Sequence, residues 1–199
     1  MSNDAEKKQA ILADIADIRP GYPFRGSVKD RPDGEVAVVQ IKNVDPDTGI
    51  DWSGLARTDL TGRRKPDWLR QGDVLFTARG NRNAAAAVGE ITIKAVSAPH
   101  LFVIRVTTPE QILPEFLAWV MNQADAQRYF AQEATGSYIT NIRKQSLLEM
   151  PLRLPPLDKQ RIVVELDRAA RQERKLLESL IENRKQQISL VAQTLMKYL

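Results

Sequence analysis

The sequence has no cysteine, and this absence excludes two kinds of structure. Without thiols the chain can form neither a disulfide framework nor a metal site built on thiolates. Histidine occurs once, at His100, so a histidine-rich metal cluster cannot form, and a serine or cysteine triad would have no cysteine and only His100 as its base. His100 follows Pro99 at the start of a predicted strand, where we interpret it as structural. We therefore predict no metal site.

Glycine motifs that bind phosphates or cofactors are also missing. The 10 glycines form no G-x-G-x-x-G loop, no P-loop and no G-x-S-x-G nucleophile elbow. Because these loops and any catalytic constellation are absent, the sequence predicts a protein that is not an enzyme and that binds no cofactor itself.

Long apolar runs are absent as well. No run reaches the length of a membrane span, and Met1 to Asp4 lacks the apolar segment of a secretory signal, so we expect a cytoplasmic protein. Hydrophobic residues make up 43% of the chain and charged residues 27%, as in ordinary folded proteins. The net charge of +4 permits nucleic acid as a partner but does not establish it.

The longest uninterrupted feature is the stretch from Leu157 to Leu199, which contains neither glycine nor proline. Pro155 and Pro156 stop regular structure before it, and Asp158 offers a carboxylate that can cap a new helix. A helix of this length spans roughly 60 Å, about twice the width of a small domain. The sequence therefore predicts a helix that extends beyond its own globular domain.

One face of this helix carries an apolar stripe with steps of four and three residues, interrupted by polar Glu173 and Arg184. An extra step of four between Leu177 and Ile181 indicates a stutter. So narrow a stripe is typical of a coiled-coil seam, and because the chain has no second helix of similar length, we expect the partner to be another chain. The alternative is a long helix folded back on its own domain. The residues predicted to carry the pairing are Leu166, Leu177, Ile181, Ile188, Val191 and Leu195.

The preceding residues, 1–156, are predicted to form one β-rich domain with small helices. Strands are predicted at residues 35–41, 74–78, 84–94, 101–106 and 150–154, with a short strand among the basic loops of residues 51–72. A buried helical segment is predicted within residues 10–18, and a longer helix from Pro114 towards Thr135. The predicted fold class is α+β, with residues 157–199 as a helical segment that forms an intermolecular coiled coil.

Several stretches together resemble the specificity subunits of Type I restriction–modification systems. In chain order they are ADIADIRPGYPF (13–24), QIKNV (40–44), GDVLF (72–76), GSYITNI (136–142) and MPLRLPPLDKQ (150–160). Each stretch alone is a weak signal, but their order along nearly the whole chain is specific.

The resemblance implies a target recognition domain in residues 1–156 that binds double-stranded DNA. Residues 157–199 would serve dimerisation and docking of the methyltransferase subunit. Methylation and cleavage would belong to separate modification and restriction subunits, with S-adenosylmethionine bound in the methyltransferase. The family's role is defence against phage.

Length is where this chain departs from the family, whose members usually carry two recognition domains and two helical segments. This chain has one of each. The resemblance therefore implies a half-length subunit, two copies of which pair their long helices antiparallel and read the two halves of a split target. One copy beside a different specificity chain is equally compatible with the sequence. Two other classes stay open: an interaction module that binds no DNA, and a stand-alone DNA-binding regulator.

DNA recognition needs cationic side chains for phosphates, and arginine or amide side chains for base edges. The stretch 79–83 combines both directly after a predicted strand, and Gly80 allows a close backbone approach. For the basic stretch 63–65 the alternative is a solvated turn, and for Tyr138 it is a place in the core. The predicted DNA-binding residues are Arg79, Gly80, Asn81, Arg82, Asn83, Arg63, Arg64, Lys65, Lys42, Asn43, Tyr138, Thr140, Asn141, Arg143 and Lys144.

Overall fold

The structure is a computed structural model that describes residues 8–60, 62, 65–80, 83–134 and 141–196. Its internal contacts divide the chain into two compact units, Met1–Val164 and Glu165–Leu199. The first unit holds the strands and small helices of the described residues, and the second is helical. The predicted fold class is thereby confirmed: a β-rich unit with small helices, followed by a long C-terminal helix.

The helices and strands follow one another in a mixed order along the described chain. They are β1 (Lys8–Ile11), α1 (Leu12–Ile15), β2 (Ala16–Pro20), β3 (Val36–Val39), a 3-10 turn (Ile41–Asn43), β4 (Val44–Asp45), β5 (Gly49–Ile50), β6 (Ala56–Thr58), β7 (Asp73–Thr77), β8 (Ala85–Ala87), β9 (Ala95–Ser97), β10 (Leu101–Val106), α2 (Pro114–Asn122), α3 (Ala124–Glu133), α4 (Lys144–Leu148), β11 (Pro151–Leu154) and α5 (Leu157–Met196).

An antiparallel sheet with the order β2-β10-β7-β8 forms the centre of the first unit. Its strand β7 is buried on both faces, and successive side chains alternate between them. Val74, Phe76 and Ile104 belong to a core shared with the helices. Leu75 and Val103 belong to a second core, shared with the other strands. Burial on both faces explains why β7 reads as a continuous apolar run rather than an alternating one.

The small helices cover one face of this sheet. Phe116, Leu117 and Met121 of α2 and Phe130 of α3 lie in the core, and the rings of Phe76 and Phe130 have centroids 4.8 Å apart. Paired aromatic rings at this separation attract each other beyond the gain from burial alone.

The predicted helix from Pro114 towards Thr135 is two helices instead of one, because the backbone is extended at Gln123. Amide side chains bind the carbonyls near this break. Gln123 Nε2 donates to the Trp119 carbonyl at 2.9 Å, and Gln127 Nε2 donates to the Met121 carbonyl at 2.8 Å. These bonds satisfy polar groups around the interruption.

The opposite face of the central sheet packs against a three-stranded sheet of order β6-β3-β9 and the short hairpin β4-β5. Strand β3 pairs antiparallel with β6 and parallel with β9. The prediction of a strand over residues 84–94 is wrong for most of its length, because β8 ends at Ala87 and the next strand, β9, begins at Ala95.

The buried helical turn predicted within residues 10–18 is confirmed, although the strands on either side of it were not predicted. One buried helical turn, α1, holds Leu12 and Ile15, but strands flank it on both sides. Strand β1 pairs antiparallel with β11, with Lys8 opposite Leu154 and Ile11 opposite Pro151. A strand partner more than a hundred residues away leaves no local signature in the sequence, so the periodicity alone favoured a helix.

Helix α5 begins at Leu157, which places Asp158 inside the first turn rather than at the cap. Gln160 is fully buried there and makes three hydrogen bonds. Its Oε1 accepts from the Leu113 N–H at 2.9 Å, while its Nε2 donates to the carbonyls of Gln111 at 2.7 Å and Pro155 at 2.8 Å. These bonds attach the first turn of α5 to the loop ahead of α2.

The part of α5 in the second unit presents its apolar side chains to solvent. Its large apolar residues from Leu166 to Met196 are 53–73% exposed. Six of them are the predicted seam residues Leu166, Leu177, Ile181, Ile188, Val191 and Leu195. Among the described residues, no helix is long and apolar enough to cross a membrane.

Candidate nucleic-acid interface

Backbone hydrogen bonds join four segments at one end of the strands of the first unit. The Ala98 N–H donates to the Val39 carbonyl at 2.8 Å, and the Ala78 N–H donates to the His100 carbonyl at 3.2 Å. The Ile142 N–H then donates to the Ala78 carbonyl at 2.8 Å. We call these segments, residues 39–43, 98–100, 78–80 and 141–144, the strand-end row.

Three groups of predicted DNA-binding residues meet in the strand-end row. Lys42 and Asn43 lie on the first segment, Arg79 and Gly80 follow β7, and the third group is Asn141, Arg143 and Lys144. Arg79 and Asn141 face each other in an isolated antiparallel bridge. The fold therefore brings together residues that are far apart in sequence.

Five of these residues are exposed, and they carry four cationic groups and one amide. They are Lys42, Arg79, Asn141, Arg143 and Lys144. Lysine and arginine suit the phosphate backbone, and an exposed asparagine suits a base edge.

Asn43 and Asn83 differ from this exposed group because they are buried. Asn43 Oδ1 accepts from the Gln40 N–H at 3.0 Å, and its Nδ2 donates to the Gly54 carbonyl at 3.2 Å. Asn83 Nδ2 donates to the Thr77 carbonyl at 2.7 Å. Both side chains thus bind backbone groups of their own loops, so the exposed residues of the row carry the proposal below.

Gly80 has a backbone conformation that L side chains rarely adopt, with φ at +132°. A Cβ atom added there meets nothing within 4 Å, so the backbone angle rather than crowding favours glycine. Asn81 and Arg82 of the same loop lie outside the described residues, as do Arg63, Arg64, Tyr138 and Thr140.

The described part of the basic stretch around residue 63 lies against Tyr22. A Cβ atom added to Gly62 comes within 2.4 Å of the Tyr22 hydroxyl oxygen. The Tyr22 N–H donates in turn to the Ser97 carbonyl at 2.8 Å, directly before the strand-end row segment 98–100. Lys65 is exposed. Gly62 thus lies beside the side chain of Tyr22, a residue whose backbone bonds next to the row.

His100, which the sequence led us to interpret as structural, is a further residue of the strand-end row. Its backbone has a structural role, since the His100 carbonyl binds Ala78, but the residue is exposed within the row. The only sequence signal was its place in a Pro-His turn between two apolar strands.

The opposite end of the central sheet carries a separate cluster of charges. Arg105 Nε and Nη2 donate to the two carboxylate oxygens of Asp73 at 2.7 and 2.8 Å, and Arg105 Nη1 donates to Asp67 at 3.3 Å. Arg19 also donates to Asp67, at 3.1 Å. Arg105 lies four residues along β10 from Leu101, about 13 Å from the strand-end row.

The pKa values of Arg105 and Asp67 are both shifted in favour of the charged forms. The hydrogen bond to Asp73 raises the pKa of Arg105 against the effect of burial, with the charges of both aspartates helping. Burial alone raises the pKa of Asp67, but the hydrogen bonds and charges of Arg19 and Arg105 outweigh it and hold that pKa below its ordinary value. The cluster is therefore a fixed set of ion pairs that stabilises the sheet.

Within the ranges that the structure describes, no three histidine, aspartate or glutamate side chains come together as metal ligands.

No protein-family model matches the chain, and no curated protein matches it. Solved structures do match. The S subunit of a Type I restriction–modification system from M. genitalium has a TM-score of 0.62 and 17% identity, over 93% of this chain and 44% of that chain. The HsdS subunit from Thermoanaerobacter tengcongensis has a TM-score of 0.60 and 17% identity, over 87% of this chain and 39% of that chain.

A third match comes from a structure concerned with the complex assembly and conformational transition of the type I R-M system. Its TM-score is 0.64 and its identity 17%, over 92% of this chain and 43% of that chain. The chain thus spans less than half the length of each of these three solved chains. The resemblance in the sequence is confirmed at the level of the fold: the chain has the fold of Type I restriction–modification specificity subunits.

Proposed function

We propose that the chain is a DNA-recognition subunit of a Type I restriction–modification system, with a single target recognition domain. The observation that carries this proposal is the match in fold to S subunits over about nine tenths of the chain. The family-like sequence stretches support it independently, because they occur in the family's order along the same residues.

In this proposal the exposed residues of the strand-end row contact duplex DNA. Arg79, Lys42, Arg143 and Lys144 bind phosphates or guanine edges, and Asn141 reads a base edge. The same end of the strands supplies His100. Rigid strand ends suit this task because they hold side chains at fixed positions relative to the grooves.

The subunit itself performs no chemical step. Methylation belongs to a modification subunit, which binds S-adenosylmethionine, and cleavage belongs to a restriction subunit. Two copies of the chain, joined through α5, read the two halves of a split target. The exposed apolar residues of α5 support a partner on this helix, because an apolar surface of that extent is covered in most soluble assemblies.

The exposed helix also favours a second candidate function, an interaction module whose domain binds no DNA. A test that separates the two is selection of bound duplexes from a random library. The full chain is used alone and together with the methyltransferase subunit that copurifies with it from its native host. Sequencing of the bound duplexes then shows whether a target exists.

We expect a split motif to be enriched, with binding that weakens steeply as salt rises because phosphate contacts release counterions. If neither preparation enriched any sequence among the bound duplexes, the result would contradict DNA recognition and favour the interaction module. Enrichment by the chain alone, with no methyltransferase copurified, would instead indicate a stand-alone regulator.

A further inference from the structure

The apolar stripe of α5 is crossed by two charged residues of opposite sign, Glu173 and Arg184, both exposed. At 100° per residue, both lie within about 20° of the direction of Leu166 around the helix axis. They therefore sit in the middle of the stripe and not on its edge. Any helix that covers the stripe has to accommodate both charges.

We propose that the helix covering this stripe is α5 of a second copy, antiparallel and in one register, in which Glu173 of each copy faces Arg184 of the other. The inference rests on the pairing of two copies in the proposed function and specifies its geometry. A parallel pair would place Glu173 against Glu173 and Arg184 against Arg184, and facing like charges oppose association. An antiparallel pair makes two opposite-charge contacts instead.

In an antiparallel pair of identical helices, the numbers of two facing residues always have the same sum. Placing Glu173 opposite Arg184 sets this sum to 357 and so determines every other facing pair. The two-fold axis then passes between Glu178 and Ser179. Each of the six predicted seam residues then faces an apolar side chain, although none of them was used to choose the register, while Ala170 faces Gln187. The apolar pairs are Leu177 with Leu180, Leu176 with Ile181, Ala169 with Ile188, Leu166 with Val191 and Ile162 with Leu195.

Neighbouring registers lose this match. A shift by four residues in one direction places Glu173 against Ile188 and Arg184 against Leu177. A shift of four in the other direction places Glu173 against Leu180 and Arg184 against Ala169. Each alternative buries a charge against an apolar side chain without a partner, which is costly in an interface.

Charge reversal in the full chain tests the register. Each single change, Glu173→Arg or Arg184→Glu, turns two opposite-charge contacts per dimer into two like-charge contacts. We expect each to raise the dimer Kd by at least about tenfold in sedimentation equilibrium. The double change restores both contacts and should return the Kd to within about threefold of the parent value.

Reversals of the same type on the opposite side of the helix, Glu182→Arg and Lys175→Glu, are matched controls and should leave the Kd unchanged. Single changes without effect, or a double change as weak as the weaker single, would overturn the register.

Cysteine cross-linking gives a second readout, because the chain has no cysteine of its own. Ala169→Cys and Ile188→Cys carried on differently tagged copies should form a disulfide between copies. Ile188→Cys alone should not, since the two residues lie roughly 28 Å apart along the antiparallel pair. Cross-linking of Ile188→Cys with itself would show a parallel dimer and refute the register.

Neither readout uses DNA, so a failure of DNA recognition leaves the register testable. A monomer at all concentrations would overturn both the register and the pairing of two copies. A parallel dimer, or a dimer of another register, would overturn the register alone and leave the proposed DNA recognition untouched.

Discussion

The two units of the chain differ in the burial of their apolar side chains. In the first unit Phe76 and Phe130 are fully buried, and the buried side chains of Asp73 and Gln160 are hydrogen-bonded. In the second, none of the described residues from 165 to 196 is buried. The comparison teaches that an apolar stripe becomes a core only where the same chain can cover it. On α5 the stripe is exposed to solvent, and the proposed pairing of two copies would cover it.

The largest effect that we expect comes from breaking the buried ion pair of the first unit. Arg105→Met leaves the Asp73 carboxylate, only 1% exposed, without its charged partner. Loss of one partner of a buried pair costs about 3–5 kcal/mol, and denaturant unfolding at fixed protein concentration measures it. Arg19→Met is the matched control. Its side chain is 45% exposed, so its loss should cost below about 1 kcal/mol. Equal losses would show that the Arg105 pair is not the dominant one.

The next largest effect concerns the first turn of α5. Gln160→Leu removes three hydrogen bonds and leaves the Leu113 N–H and two carbonyls without this partner. Since a buried polar group left unsatisfied costs about 1–3 kcal/mol, we expect a loss of about 3 kcal/mol in the free energy of unfolding. Gln172→Leu, the same substitution at an exposed position, should change it by less than about 0.5 kcal/mol. If Gln160→Leu lowered the free energy of unfolding by equally little, Gln160 would not anchor the first turn of α5.

A charge in the stripe should weaken association through α5 without unfolding the first unit, and separate assays measure the two effects. Leu177→Glu places an unpaired charge in the proposed interface and should weaken the dimer by about 2 kcal/mol, or roughly 30-fold in Kd, while folding of the first unit is retained. Sedimentation velocity measures association and circular dichroism measures folding. Leu190→Glu is the control, because Leu190 is similarly exposed but points about 120° away from Leu166 on the helix. A dimer that survives Leu177→Glu would place the seam elsewhere.

The smallest expected effect falls on the exposed polar surface of the first unit. Arg79→Ala should weaken binding to the selected duplex by about 1 kcal/mol and lower the salt slope by about one, if Arg79 binds a phosphate. Fluorescence anisotropy over a salt series measures both quantities. Arg70→Ala, at the opposite end of β7, should leave binding unchanged. Loss at both positions would point to a diffuse electrostatic effect rather than to the strand-end row.

Local sequence patterns were sufficient for the elements that stabilise themselves locally. Three local patterns led to correct predictions. They are the apolar run of residues 35–41, which contains β3, the glycine turn into β7, and the absence of glycine and proline in α5. Strand β1 was missed because its partner, β11, is distant in sequence. The break at Gln123 was missed because glutamine is a good helix former, and only the tertiary fold shows where its amide binds.

The candidate site was predictable only residue by residue. Sequence reasoning selected Lys42, Arg79 and Asn141 separately, but their meeting depends on strand order and on one backbone bridge. Sequence also could not tell Asn141 from Asn43, since an exposed and a buried asparagine read alike in a sequence.

The strand-end row is held together by bonds between peptide groups, and peptide groups are the same whatever side chain a residue carries. Lys42, Arg79 and Asn141 can therefore be exchanged by mutation while the frame that positions them persists. If the row reads DNA as we propose, such a frame would permit the specificity of a lineage to diversify without a change of fold. The same frame could then serve descendants that share almost no surface residues.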